Sequence, residues 1–300
     1  MAHEVVLEIL DSFYETESDP DYHNLKNFTL VSRSWSTYSQ RLLFRKVKLV
    51  TRSELKSFKH ALSQRGYKGP FLRESVESLS VFVDGDRRNP FAISKEDFAE
   101  LLNLLPNLTT LELRMNDITE FDDQELEDLR TGAAHPRTLT VTMNRPSKAL
   151  PQLLGVWEDV TKLNVNGVAS LGSLEGGTIL HSPAASSISV LHWNVSAGFN
   201  GVSDPESKPE ADILSWLLSS STSTMKELHV KTLNESIAQP IGQCTKLEQV
   251  HAGSCSSPNT LDALPLSVTS LSLPCNSRVK DFSSILSRHP NMLHITWRSW

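Results

Sequence analysis

The chain is poor in cysteine, in aromatic residues and in long apolar runs, and each shortage removes a class of protein. Its three cysteines, Cys244, Cys255 and Cys275, are odd in number and lack C-x-x-C spacing. That fits neither a disulfide framework nor a zinc knuckle, so reduced thiols are expected. No stretch approaches the roughly 18 consecutive apolar residues of a spanning helix. The acidic opening Met1-Ala-His-Glu-Val-Val-Leu-Glu also lacks the basic start of a signal peptide. The expectation is an intracellular protein, of cytoplasm or nucleus or both, with no membrane partner. Basic residues number 29 against 35 acidic, a formal net charge of −6. No dense Lys/Arg block gathers the positive charge that phosphate-backbone binding requires, so nucleic acid is not an expected partner. The motifs G-x-S-x-G, H-E-x-x-H, G-x-G-x-x-G and G-x-x-x-x-G-K-[ST] are absent as well, and the chain is expected to be no enzyme and to use no cofactor.

What is abundant is leucine, at 42 of 300 positions, and such an excess in a repeat protein recurs at fixed spacing. Leu108-Thr-Thr-Leu111-Glu-Leu113-Arg-Met-Asn116-Asp-Ile118 has the L-x-x-L-x-L-x-x-N-x-I form of a leucine-rich repeat. Its apolar triplet recurs as Phe44/Val47/Leu49, Val76/Leu79/Val81, Val160/Leu163/Val165, Ile188/Leu191/Trp193, Met225/Leu228/Val230, Leu247/Val250/Ala252, Val268/Leu271/Leu273 and Met292/Ile295/Trp297. Leu139/Val141 fits with Pro136 in the first position. The central residues are 32, 32, 28, 24, 28, 37, 22, 21 and 24 apart, mostly within or just above the roughly 20 to 29 residues of one repeat. Asn116, Asn144, Cys255 and Asn276 occupy the turn position, where the side chain can satisfy backbone groups.

Between strands the period changes from two to 3.6. Thr51 with Glu54 opens a helix bearing Leu55, Phe58 and Leu62, and Ser94 with Asp97 opens one bearing Phe98, Leu101, Leu102 and Leu105. Ile213/Trp216/Leu217 and Val279/Phe282/Leu286 read the same way. Leu105-Pro-Asn-Leu108 and His289-Pro-Asn-Met292 end helices and lead into strands. The fold class is therefore α/β, a degenerate repeat solenoid over residues 46–300. About ten parallel strands line its concave face and helices its convex face.

Residues 1–45 read instead as three short helices, with apolar stripes at Val6/Leu10/Phe13, Leu25/Phe28 and Trp35/Tyr38/Leu42. So short a segment buries too little surface to stand alone, so it should lean on the repeats or on a partner. Glu4-Val-Val-Leu7-Glu-Ile9-Leu10, Leu30-Val31-Ser32-Arg33-Ser34-Trp35 and Arg41-Leu42-Leu43-Phe44-Arg45 together resemble an F-box, particularly that of fungal F-box-like proteins continuing into leucine-rich repeats. Ala2 and His3 stand where that family usually has Leu-Pro. The resemblance implies a substrate receptor of a Skp-cullin-F-box ubiquitin ligase. Glu4, Leu7, Ile9, Leu10, Leu30, Val31, Trp35, Leu42 and Leu43 would meet the Skp adaptor, and through it a cullin, while the repeats hold an unidentified target protein. The other reading is a protein-binding scaffold whose front helices only cap the solenoid.

Side chains alternate faces along a strand, so the residue between the second and third apolar positions points out of the sheet. This places His192, His229 and His251 in one column, with Glu112 and Asn164 in the same row. Arg114, Glu227, Lys231 and His294 flank it. Such a mixed polar surface suits a protein partner. Strands about 4.8 Å apart keep the outer two rings from sharing an ion, since zinc needs nitrogens at roughly 2.0 to 2.1 Å, and no metal is expected. If charged rings bind the target, affinity falls as pH rises from about 6 to 7.5, whereas a neutral ladder gives a flat profile. The Gly/Pro/Ser-rich segment 197–210 reads as a protruding loop.

Overall fold

The computed structural model describes residues 3–14, 21–86, 88–145, 147–167, 188–195, 208–257, 259–274 and 283–298. The chain forms two compact units, Met1–Glu112 with Glu127–His135, and Leu113–Leu126 with Pro136–Trp300.

The first unit opens with three helices, α1 (His3–Tyr14), α2 (Tyr22–Phe28) and α3 (Arg33–Arg45). Asp21 accepts from the Asn24 N–H at 3.0 Å and Ser32 from that of Trp35 at 3.4 Å, so the starts of α2 and α3 each have a side-chain acceptor for an otherwise orphaned donor. Leu10, Leu25 and Leu42 form the centre of this layer, with Phe13, Tyr14, Phe28, Trp35, Tyr38 and Leu43 packed around them. The side chain of Val6 lies outside the described residues. Phe28 sits between Phe13 and Trp35, with ring centroids at 5.1 and 5.3 Å.

The layer leans on the next elements of the chain, as its size requires. Strand β1 (Lys46–Leu49) continues α3 directly and leads to α4 (Arg52–Leu62), α5 (Lys68–Ser75), β2 (Ser78–Asp84) and α6 (Lys95–Leu102). Phe44 stacks on Phe58 of α4 at 6.1 Å. Arg45 pairs with Glu77 at 2.8 Å and lies over the Tyr14 ring. Thr51 and Glu54 complete the expected capping box, while at Ser94 the hydroxyl accepts from the Asp97 N–H. β1 runs parallel to β2 with Val47 opposite Leu79. β3 (Thr110–Asn116) and α7 (Asp123–Thr131) run across the division between the units.

The second unit continues with β4 (Thr138–Met143), α8 (Ala149–Val156), β5 (Lys162–Gly167), β6 (Val190–Val195) and α9 (Lys208–Ser221). It goes on through β7 (Glu227–Val230), α10 (Glu235–Gly242), β8 (Gln249–Ala252), α11 (Asn259–Asp262), β9 (Ser270–Pro274), α12 (Ser283–Arg288) and β10 (His294–Arg298). The strand order is the chain order, β1 through β10. From β4 to β10 every neighbouring pair is parallel, and Leu139, Leu163, Leu191, Leu228, Val250, Leu271 and Ile295 stand opposite one another in turn. These are the residues that the triplet alignment makes equivalent. All but Ile295 are buried. Val279 and Phe282, expected in the last helix, lie outside the described residues, as do Cys275, Asn276 and 196–207. α9 begins at Lys208, inside the segment read as a loop, because Pro209 suits a helix's first turn, where its missing N–H costs no bond.

One local device recurs in the connections. At seven strand entries, two successive N–H groups donate to a single carbonyl just before the preceding strand. Thr109 and Thr110 donate to Glu77, Thr161 and Lys162 to Arg137, Ser189 and Val190 to Thr161, and Lys226 and Glu227 to Ser189. The series continues with Glu248 and Gln249 on Lys226, Thr269 and Ser270 on Glu248, and Leu293 and His294 on Thr269. The two Pro-Asn signals match this pattern. The Asn107 amide donates to the Glu74 carbonyl at 2.8 Å and that of Asn291 to Leu266 at 3.3 Å. Proline stops the helix, and the asparagine ties the exit to the repeat before it. At the turn position Asn144 donates to Asn116 and accepts from the Asp117 N–H, while Cys255 is buried with its thiol against the Ser257 carbonyl. Cys244 is buried too, and desolvation pushes its thiol up to about 11, which keeps it protonated and unreactive near neutral pH.

Candidate functional site

In the first unit, the residues expected to meet an adaptor divide by exposure. Leu10 and Leu42 are buried in the helical layer, and Leu7, Ile9, Trp35 and Leu43 are half-buried. Glu4 is exposed, and Leu30 and Val31, in the turn between α2 and α3, are 85% and 60% exposed. Leu30 borders a groove of about 470 Å³ shared with Thr29, Arg33 and Gln40 of the same segment and with Tyr67 and Lys68 at the start of α5. Tyr67 is 71% exposed. Sequence reasoning missed it because it belongs to no apolar period. Tyr38 donates to Asp11 at 2.9 Å, joining α3 to α1.

In the second unit, the strand register brings the three histidines together as the alternation rule requires. His192 of β6 stands opposite His229 of β7, and His229 opposite His251 of β8. The rings stack at 3.9 and 4.1 Å, tilted by 27° and 24°. These separations are shorter than the strand spacing of roughly 4.8 Å. Glu227 projects from the same face as His229 and holds its Nε2 at 2.6 Å. Asn164 lies opposite His192 on β5 and donates to Thr140 at 2.9 Å. The Asn164 Oδ1 and the His192 Nε2 are buried with no hydrogen-bond partner. Lys231 and His294 are exposed in the same unit, as is Arg114. Glu112 is half-buried and belongs to the first unit.

Beside the column, a cavity of about 590 Å³ opens at the C-terminal ends of β6 to β9, lined by Asn194, His229, Lys231, Thr232, His251 and Ser254 among others. Asn194 is not among the concave residues read from the sequence, although its place two residues after His192 puts it on the same face. Its amide donates to Asn166 at 3.2 Å.

Burial, reinforced by His229 and by the Lys162 cation, holds His192 below the ordinary imidazole value of 6.5, so this ring is neutral at pH 7. The hydrogen bond from His229 pulls Glu227 below the ordinary carboxylate value of 4.5, with burial opposing it. Both shifts have the same sign for stability. A group whose folded value is depressed binds fewer protons folded than unfolded, so acid favours unfolding. Stability is therefore expected to fall as pH drops below 6.5 through His192, and again below 4.5 through Glu227. Urea midpoints from pH 7.5 to 4 should decline, and less so in His192→Gln. A midpoint that rises on acidification in this range would contradict the assignment.

Among the described residues no helix is long and apolar enough to cross a membrane. No model of a known protein family matches the chain, and a search of curated proteins finds no significant match.

Proposed function

We propose that the chain is an F-box-like substrate receptor of a Skp-cullin ubiquitin ligase, acting in the cytoplasm or nucleus. Its front helices dock on the Skp adaptor, and its parallel strands form the concave face of a leucine-rich-repeat solenoid that captures a target protein. The observation that carries this reading is the exposed apolar pair Leu30 and Val31 beside a groove, set on a helical layer whose own core is already closed by Leu10, Leu25 and Leu42. Exposed aliphatic anchors next to a recess are what a helix-docking partner needs. The chain itself supplies no catalytic group. It raises the local concentration of a target lysine near an activated ubiquitin carrier held elsewhere in the assembly.

A second reading, that the helices only cap the repeats, draws on the buried state of Leu10 and Leu42 and on the Arg45–Glu77 tie. Co-purification with a Skp adaptor separates the two. The unmutated chain should bind, and the surface variant Leu30→Glu/Val31→Glu should bind at least about tenfold more weakly with unchanged circular dichroism. A folded chain with no adaptor affinity leaves the capping reading.

A further inference from the structure

We propose that His192, His229 and Glu227 form a site for a divalent transition ion of the zinc class on the β6–β7 pair. Strand spacing keeps all three histidines off one ion, but it leaves two rings and a carboxylate. The donor atoms of this set lie within 4.8 Å of one another. Bonds of roughly 2.0 to 2.1 Å in a tetrahedral site set donors about 3.3 Å apart. Closing the set asks the donors to approach by no more than about 1.5 Å, a distance of the size that side-chain rotation covers.

The positions are fixed by the fold. Parallel register puts His192 opposite His229, and Glu227, two residues before His229, shares its face. Glu227 already engages the His229 Nε2 at 2.6 Å, so an ion replaces a proton between two groups that are in contact. The His192 Nε2 is buried and has no hydrogen-bond partner, so in the tautomer protonated at Nδ1 its lone pair is available to an ion. A ligating histidine gives its other ring nitrogen to an acceptor. Asn164, opposite His192, keeps its Oδ1 buried without a donor. The Lys162 charge acts on His192 against a cation, and the Glu227 carboxylate offsets it. His251 stacks on His229 and lies outside the donor set. Three protein ligands leave a fourth position for water or for a side chain of a bound protein. The site stands independently of the ubiquitin-ligase reading.

Isothermal titration of the untagged full chain with zinc chloride is expected to show one saturable equivalent. Cobalt is expected to give the visible ligand-field bands of a four-coordinate site. His192→Ala and Glu227→Gln should each weaken zinc at least about tenfold and remove the cobalt bands. His251→Ala should retain both, and circular dichroism would confirm that each variant is folded. Absence of a saturable equivalent overturns the proposal. So does binding that survives both ligand substitutions, or binding that His251→Ala abolishes.

Discussion

Replacing Trp193 with alanine is expected to destabilise the second unit by about 3 to 5 kcal/mol, the usual range for deleting a large buried aromatic side chain. Trp193 is 2% exposed and stands between Val165 of β5 and Val230 of β7. The neighbouring strands carry valine there, so the indole fills a volume that those residues cannot close without moving the strands. Its Nε1 is buried with no hydrogen-bond partner. Trp193→Phe therefore removes an unsatisfied donor along with some contact area, and should cost much less than alanine. Urea unfolding followed by far-ultraviolet circular dichroism would measure both. A loss below about 1 kcal/mol for alanine would mean that the position collapses or is not packed as described.

The second large effect is expected at Gly167, the last residue of β5, where φ is +100°. A Cβ there would lie 2.0 Å from the carbonyl oxygen of Met143, its partner on β4. Alanine must both adopt a left-handed backbone and push that carbonyl away. Strain of this kind costs about 1 to 3 kcal/mol before the lost strand pairing is counted. Gly155, within α8, has nothing within 4 Å of the same added atom. Gly155→Ala should therefore stabilise by roughly 0.4 to 1 kcal/mol, through a less flexible unfolded chain and better helix propensity. The two substitutions should thus differ in sign, and thermal denaturation of the pair tests this directly. Equal effects would remove the argument from backbone geometry.

The strand register was legible because its signal is dense. Nearly every strand repeats an apolar residue at the same two positions, so one alignment of the sequence set Leu139 opposite Leu163 and His192 opposite His229. The capping signals at Thr51 and Ser94 were legible for the same local reason. The start of α7 uses an equivalent device, with Asp122 and Glu125 each accepting from the other's N–H at 2.8 Å. It went unread because the helix behind it carries few apolar residues to mark a face. Exposure was the least legible property. Leu10, Leu30 and Leu42 look alike as apolar residues in a sequence, yet the turn after α2 leaves Leu30 in solvent while the helices close over the other two. Likewise, strand alternation put Glu227 on the histidine face, but only side-chain torsions bring its carboxylate onto the His229 ring.

The paired N–H groups that share one carbonyl fix where seven of the strands begin relative to the strand before, not relative to the segment that joins them. Strand placement is thereby uncoupled from connection length. Central residues are 21 apart between β8 and β9 and 37 apart between β6 and β7, yet both pairs align residue for residue. Such a chain can lengthen or shorten its crossovers without shifting the side chains displayed on the sheet. The connections are free to differ in size as long as their helices keep the buried residues, such as Ile213, Leu214 and Leu217 of α9, and foreign segments spliced beside that helix would be carried as passengers while His192 continued to face His229.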